Sequence, residues 1–261
     1  MLVFIIPVKS PAISPNWLLF SRLFERCLKS VCNQTSANFK VVVVCNEKPQ
    51  TTFDSSHVEY LTVDFPPPGS EEVSLLIGIQ SSKEADKAKK ILAGLAYAKK
   101  FNPSHTMVVD ADDCINKNIA QFVEQNPDAD GWYIKKGYVY KEGKPYIYLN
   151  LKNFNHLCGT SIIIKYNLAE LLINNGKHYD HCAVSLANGV QLQPLPFTGA
   201  IYSIENQENY RMSAAAVKEL KNNTYQKGIT SFLEKITKYR IYLLTNSIRQ
   251  QFGLSRLESL D

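Results

Sequence analysis

Two uninterrupted apolar runs near the N-terminus constrain the fold most: Leu2-Val3-Phe4-Ile5-Ile6, closed by Pro7, and Lys40-Val41-Val42-Val43-Val44-Cys45. A strand with one face in water alternates apolar and polar residues. A run that is apolar at every position needs cover on both faces, which points to a parallel sheet between helices. Between the runs, Leu18, Leu19, Phe20, Leu23, Phe24, Cys27, Leu28 and Val31 recur at helical spacing. Strand, helix and strand in that order make a βαβ start, the unit of an α/β fold.

The pattern continues with a third strand over 58–63, followed by Asp64 and the breaker Pro66-Pro67-Pro68-Gly69. Three prolines cannot donate ladder bonds, so this stretch is loop. A helix is predicted from about Ala85 to Lys100, then a fourth strand from His105 to Val109 that delivers the chain into Asp110-Ala111-Asp112-Asp113. After a helix near 116–125 the sequence turns aromatic, with Gly131-Trp132-Tyr133-Ile134, Gly137-Tyr138-Val139-Tyr140 and Tyr146-Ile147-Tyr148 around the turn Lys141-Glu142-Gly143-Lys144. Such alternation predicts antiparallel hairpins. The stretch 213–257 reads as helices. Its basic Lys235, Lys238 and Arg240 flank Ile236, Tyr239 and Ile241, which suits either a scaffold helix capping the sheet or a face resting on an anionic membrane.

Composition narrows the function classes. With 261 residues, 45% hydrophobic and 20% charged, the chain holds one substantial core plus an appendage and is not disordered. A net charge of +5, largely dispersed outside a lysine group at 83–100 and a second group near the C-terminus, does not mark a nucleic-acid binder. The six cysteines form no CxxC pair, so neither a zinc spacing nor a disulfide framework is visible, and reduced cytosolic thiols are the simplest account. The N-terminal apolar run is too short to span a membrane and lacks the basic flank and cleavage site of a signal peptide. The expected location is the cytoplasm, with peripheral attachment to the inner face of a membrane left open.

Three aspartates within four residues at the end of an apolar strand are costly. Two carboxylates about 5 Å apart repel by roughly 3 kcal/mol at an effective dielectric of about 20. A hard divalent cation, Mn2+ or Mg2+, relieves that repulsion while keeping positions for water and substrate phosphates, so Asp110, Asp112 and Asp113 are candidate metal ligands. Their place at the carboxyl end of a strand is where open α/β sheets bind ligands. Helix capping would account for one of the three carboxylates.

The opening FIIPVKSP, the helix running into LKSVCNQT, the strand KVVVVCNE and the strand end VVDADD, in this order, resemble the nucleotide-binding half of family 2 glycosyltransferases of the GT-A fold. The resemblance implies an α/β, Rossmann-like, mixed and mainly parallel sheet flanked by helices. It divides the chain into a GT-A domain over 1–210, with a nucleotide half (1–125) and an acceptor half (126–210), and a helical C-terminal extension over 211–261. It further implies a nucleoside-diphosphate sugar as donor and a carbohydrate or lipid-linked acceptor, in glycan or polysaccharide synthesis. By the resemblance, Pro7 and Val8 line the nucleobase pocket, Asn46 or Glu47 bonds the base or ribose, and Asp64 is a further candidate. Asp110 matches the ribose-side member of the DxD motif and Asp112 its metal ligand, with Asp113 an acid behind them. The helix before this strand carries Asp86-Lys87-Ala88-Lys89-Lys90 where the family usually has an Arg-Asn pair. Lys87 and Lys90 share a face and are candidates for the diphosphate, or else for a solvated lysine face.

Gly159, in His156-Leu157-Cys158-Gly159-Thr160-Ser161, matches the glycine loop at the donor–acceptor boundary. In His178-Tyr179-Asp180-His181, Asp180 matches the catalytic base of an inverting transfer, with Tyr179 in place of the usual Glu. Imidazole also serves as base or metal ligand, so His181 is an alternative base; the resemblance further implies a late histidine in the metal shell, a place for His178 or His181, or else for water. Trp132, Tyr133, Tyr138 and Tyr140 suit either ordinary core packing, the commoner use of such aromatics, or stacking on an acceptor sugar. Two other readings remain. A nucleotidyltransferase would want a glycine-rich phosphate loop after the first strand, and Pro7-Val8-Lys9-Ser10-Pro11 has no glycine. A catalytically silent GT-A-like module would only bind a glycan or a partner.

Overall fold

The computed structural model describes residues 1–68, 76–206, 208 and 239–257. The two apolar runs are strands β1 (Leu2–Pro7) and β2 (Phe39–Cys45), parallel and in register from Leu2 opposite Phe39 to Pro7 opposite Val44. Between them lies α1 (Trp17–Cys32), whose cap residue Asn16 accepts the Leu19 amide at 3.0 Å. Strand β3 (Val58–Thr62) adds to β2, and β4 (His105–Val108) adds to the other side of β1, both parallel. Helix α2 (Leu76–Ala98), longer than the sequence pattern predicts, joins β3 to β4.

The two-sided burial inferred from β1 is present residue by residue. Phe4, Ile6 and Val8 pack with Phe24, Cys27 and Leu28 of α1 on one face. Val3 and Ile5 pack with Val42, Val44 and with Ile91 and Leu95 of α2 on the other. At Gly94 the helix backbone lies directly on the sheet, since a Cβ there would stand 2.7 Å from Ile5 Cγ2 and 3.0 Å from Val44 Cγ2.

Beyond β4 the chain runs through β5 (Cys114–Ile115), α3 (Ile119–Gln125) and β6 (Gly131–Tyr133). It continues with β7 (Gly137–Lys141), β8 (Tyr146–Asn150) and β9 (Ile162–Lys165). Strands β10 (Ile173–Asn174), β11 (His178–Tyr179), β12 (Gln193–Pro194) and β13 (Ala200–Ile204) follow. The main sheet has the order β12-β6-β9-β4-β1-β2-β3, and only β9 runs against its neighbours β4 and β6. This is the mixed, mainly parallel sheet flanked by helices expected for a GT-A chain. β7 and β8 form the antiparallel hairpin read from the aromatic alternation, but β6 joins the main sheet instead. Its Trp132 is therefore core, packed between His105 and Phe122, and not an acceptor platform. Tyr140 is likewise buried, whereas Tyr133 and Tyr138 are partly exposed.

A second sheet, β14-β8-β7-β13-β5, includes β14 (Tyr239–Leu243), antiparallel to β8. The sequence pattern reads 239–243 as helix; pairing with the exposed edge of the hairpin makes it a strand. Of the basic face predicted there, Lys235 and Lys238 lie outside the described residues, and Arg240 belongs to this strand. Helix α4 (Asn246–Phe252) does form and docks on α1, with Ser30 Oγ donating to Phe252 O at 2.6 Å. Gly253 ends it at φ +60, its Cα facing Ser30 where any Cβ would collide.

The sheets are also joined by a charge. Arg26 of α1 is buried, straddling Glu142 in the β7–β8 turn at 3.0–3.1 Å and bonding Ser203 Oγ of β13 at 3.2 Å. Among the described residues no helix is long and apolar enough to cross a membrane.

Gly94→Ala separates two opposed effects. Alanine would gain about 1 kcal/mol of helix propensity, whereas overpacking typically costs about 1–3 kcal/mol. The expected outcome is a lower urea midpoint with an unchanged slope; a raised midpoint would show that propensity governs this position.

Candidate functional site

β4 runs out at the carboxyl edge of the sheet, where Val109 still bonds Ile5 O at 2.9 Å before the chain turns. The turn closes through the Asp113 amide to Asp110 O at 3.0 Å, and it sends the three aspartates into different surroundings. Asp110 is partly exposed and ion-pairs with Lys87 of α2 through Oδ1. Burial works against the Lys87 charge, but the Asp110 pair outweighs it and leaves the lysine pKa raised. Gly159 lies against this pair: a Cβ would stand 2.9 Å from Lys87 Nζ and would clash with Asp110 Oδ2. The backbone of that loop thus lies directly against a charged pair, and any side chain there would have to push the Lys87 and Asp110 tips aside.

Asp112 accepts Asn206 Nδ2 at 3.0 Å. Burial, then the neighbouring Asp110, raises its pKa. Asp113 turns inward. It is fully buried, and its Oδ2 accepts Thr160 Oγ at 2.6 Å and Cys158 Sγ at 3.0 Å. Burial first, and the charges of Asp112 and Asp110 next, push its pKa well above the usual carboxylate range. Its Oδ1 is buried without a hydrogen-bond partner. Thr160 Oγ also accepts the Asp110 amide at 2.9 Å, so a single hydroxyl sets both ends of the turn.

The other predicted residues divide. Lys90 is fully buried and paired with Asp86 at 2.7 Å along its own helix, so of the two lysines only Lys87 reaches the strand-end acids. Pro7 and Val8 are buried, Val8 within the core beneath α1; the next residue, Lys9, is the partly exposed one. Asn46 ties the end of β2 to the chain beyond β3, donating to Phe65 O at 2.8 Å and Val63 O at 3.3 Å, with its Oδ1 buried and unsatisfied. Glu47 and Asp64 are exposed.

Tyr179 sits between the strand-end acids and the β11 turn. It lies 5.8 Å below Lys87 Nζ, and burial, then Asp110 and Asp180, raise its phenol pKa. Asp180 Oδ1 accepts the Cys182 amide at 3.0 Å. His181 Nδ1 bonds Asn155 O at 2.8 Å, an arrangement in which Nδ1 carries the proton and Nε2 is the basic nitrogen. His178 does not join the aspartates: it pairs with Glu84 of α2 at 3.1 Å. Among the described residues no three His, Cys, Asp or Glu side chains form a metal-holding group. The residues missed by sequence reasoning are Cys158 and Thr160, which lie inside a motif noted for its glycine, and Asn206, which lies far along the chain.

A carboxyl with a raised folded pKa keeps its proton in the folded state after the unfolded chain has released it. It therefore lowers stability progressively as pH rises from about 4 toward the raised value. Asp113→Asn keeps an acceptor for Thr160 and Cys158 and removes the titration. Urea unfolding from pH 4 to 8 is expected to show the variant gaining on the parent with pH, by at most about 1.4 kcal/mol per unit. A constant difference would show that Asp113 titrates normally.

No protein-family model and no curated protein matches the sequence. Among solved structures, the fold is similar to S. aureus TarS 1–349, with 14% identity over 77% of this chain and 60% of that one and a TM-score of 0.47. It is also similar to S. aureus TarS at 12% identity over 78% and 36%, with a TM-score of 0.43. A third is TarS 1–349 in complex with UDP, at 12% identity over 78% and 60%, with a TM-score of 0.42. The chain thus spans 60% or less of the length of each of these structures.

Proposed function

We propose that the chain is a glycosyltransferase that moves a sugar from a nucleoside-diphosphate sugar to a hydroxyl of a carbohydrate or lipid-linked acceptor, with inversion, in the cytoplasm or at the inner face of a membrane. The observation that carries this reading is the group Asp110, Asp112, Lys87 and Gly159, gathered at the carboxyl edge of the parallel strands. Such an edge is where open α/β sheets take ligands. A bare backbone beside paired acid and lysine side chains suits a diphosphate and a sugar hydroxyl together.

In the proposed reaction the acceptor oxygen forms a bond to the anomeric carbon as the bond to the diphosphate oxygen breaks. The hydroxyl proton passes to Asp180 or to His181 Nε2, and the diphosphate leaves with the bonding pair. Lys87 offers its charge to the phosphates in exchange for Asp110, and Asp110 then turns to ribose or sugar hydroxyls. Asp112 and Asp110 are the like-charged neighbours that would hold Mn2+ or Mg2+, whose charge would stabilise the leaving diphosphate. Asp113 and His178, the other two expected ligands, are engaged with Thr160 and Glu84. A silent binding module, which would keep the strand-edge crevice without turnover, is the second reading.

Donor turnover decides between the two. Hydrolysis and transfer of UDP- and GDP-sugars with manganese are expected to fall at least a hundredfold in Asp112→Asn, with the thermal midpoint kept. Parent-like turnover in the variant, or none in the parent with any donor, would sink the assignment.

The base is tested separately. Removing a general base typically costs about a hundredfold or more in kcat with donor affinity retained. That loss is expected in Asp180→Asn; a larger one in His181→Gln would move the role to the imidazole.

A further inference from the structure

The connection between β1 and α1 holds an anion. Glu208 is buried, its side chain wholly inaccessible, although glutamate is rarely buried without partners. Its Oε2 meets Lys9 Nζ in an ion pair and accepts Ser14 Oγ at 3.0 Å, while its Oε1 accepts the Asn16 amide at 2.8 Å. Lys9 also donates to the Glu208 carbonyl at 3.1 Å. An ammonium, a hydroxyl and a backbone amide converging on one group of oxygens are the donors that a phosphoryl group takes. The connection is shaped in advance: Ser10 caps the short 3-10 turn Pro11–Ile13, and Pro11 and Pro15 fix their own backbone angles.

This place adjoins the strand-end acids. Asn206 accepts the Glu208 amide at 3.0 Å and donates to Asp112 at 3.0 Å, so one short stretch of chain touches both. The Lys9 charge is among the influences that lower the Asp112 pKa against burial. The stretch is entered through Glu205 at φ +57, a left-handed conformation that residues with a Cβ disfavour, its side chain paired with Lys141 at 2.6 Å.

We propose that Lys9, Ser14 and the Asn16 amide form a binding subsite for a phosphoryl group, which Glu208 occupies as an internal competitor. An entering phosphate displaces the Glu208 carboxylate, takes over the three donors and loosens the hold of Asn206 on Asp112. Assigning that phosphate to a nucleotide donor rests on the function proposed above; the subsite itself does not. Because the apparent affinity is reduced by the fraction of molecules in which the subsite is closed, neutralising Glu208 should tighten binding.

Inorganic pyrophosphate, titrated calorimetrically, is the probe. Glu208→Gln is expected to bind it roughly tenfold tighter than the parent, in line with the loss of a charge-assisted contact. Adding Lys9→Met to that variant should abolish the gain, whereas Glu124→Gln, the same charge change at an exposed site, should leave affinity unchanged. Equal or weaker binding in Glu208→Gln, with a lowered thermal midpoint, would overturn the proposal and make the pair a structural strut. A gain matched by Glu124→Gln would overturn it as a bulk charge effect. UDP and uridine then separate the two readings. Tightening for UDP alone supports a donor phosphate, and tightening for pyrophosphate without any nucleotide binding keeps the subsite while removing the glycosyltransferase reading.

Discussion

The Thr160 hydroxyl is the contact on which the strand-end group depends. It accepts the Asp110 amide and donates to the buried Asp113 carboxyl, so a residue entering β9 fixes the turn that leaves β4. Because β9 is the antiparallel member of the main sheet, its entrance lies beside the exit of β4, which no parallel neighbour would provide. The reversal of one strand thereby brings Gly159 against Asp110 and Lys87. Chain direction, backbone proximity and charge placement are three aspects of one pairing.

That pairing also sorts three chemically identical side chains. Asp110 keeps a cationic partner at the rim, Asp112 shares an amide, and Asp113 serves as an internal post. Crowding them as ions would cost roughly 3 kcal/mol per close pair at an effective dielectric of about 20. The fold lowers that cost by burying one carboxyl where it favours its proton and by placing a lysine beside another. Isolated hydroxyl and thiol donors cannot neutralise a carboxylate as a cation does, in keeping with the raised Asp113 pKa.

Much of this was legible in the residues. The runs at 2–6 and 40–45 required cover on both faces, and Gly159 announced a close backbone approach before its neighbours were known. Lys90 misled because helical spacing shows which residues share a face but not how deep each lies; one turn of α2 puts Lys87 at the rim and Lys90 in the core. Trp132 is core, as most such aromatics are, but its strand belongs to the main sheet and not to a hairpin, because an aromatic strand reads alike in both. The strand over 239–243 depends on an edge offered by β8, a partner about ninety residues or more away, and local periodicity carries no trace of it. The engagement of His178 with Glu84 is equally nonlocal, for it needs α2 to begin earlier than its apolar pattern suggests.

The buried Arg26 has a bearing on how the molecule can move. Its guanidinium grips the β7–β8 turn and β13 from a helix rooted in the first half of the chain. A hinge that parted the two sheets would have to break that ion pair and the Ser203 contact together and return both charges to water. Arg26 thereby fastens the second sheet to α1 and, through that helix, to the main sheet.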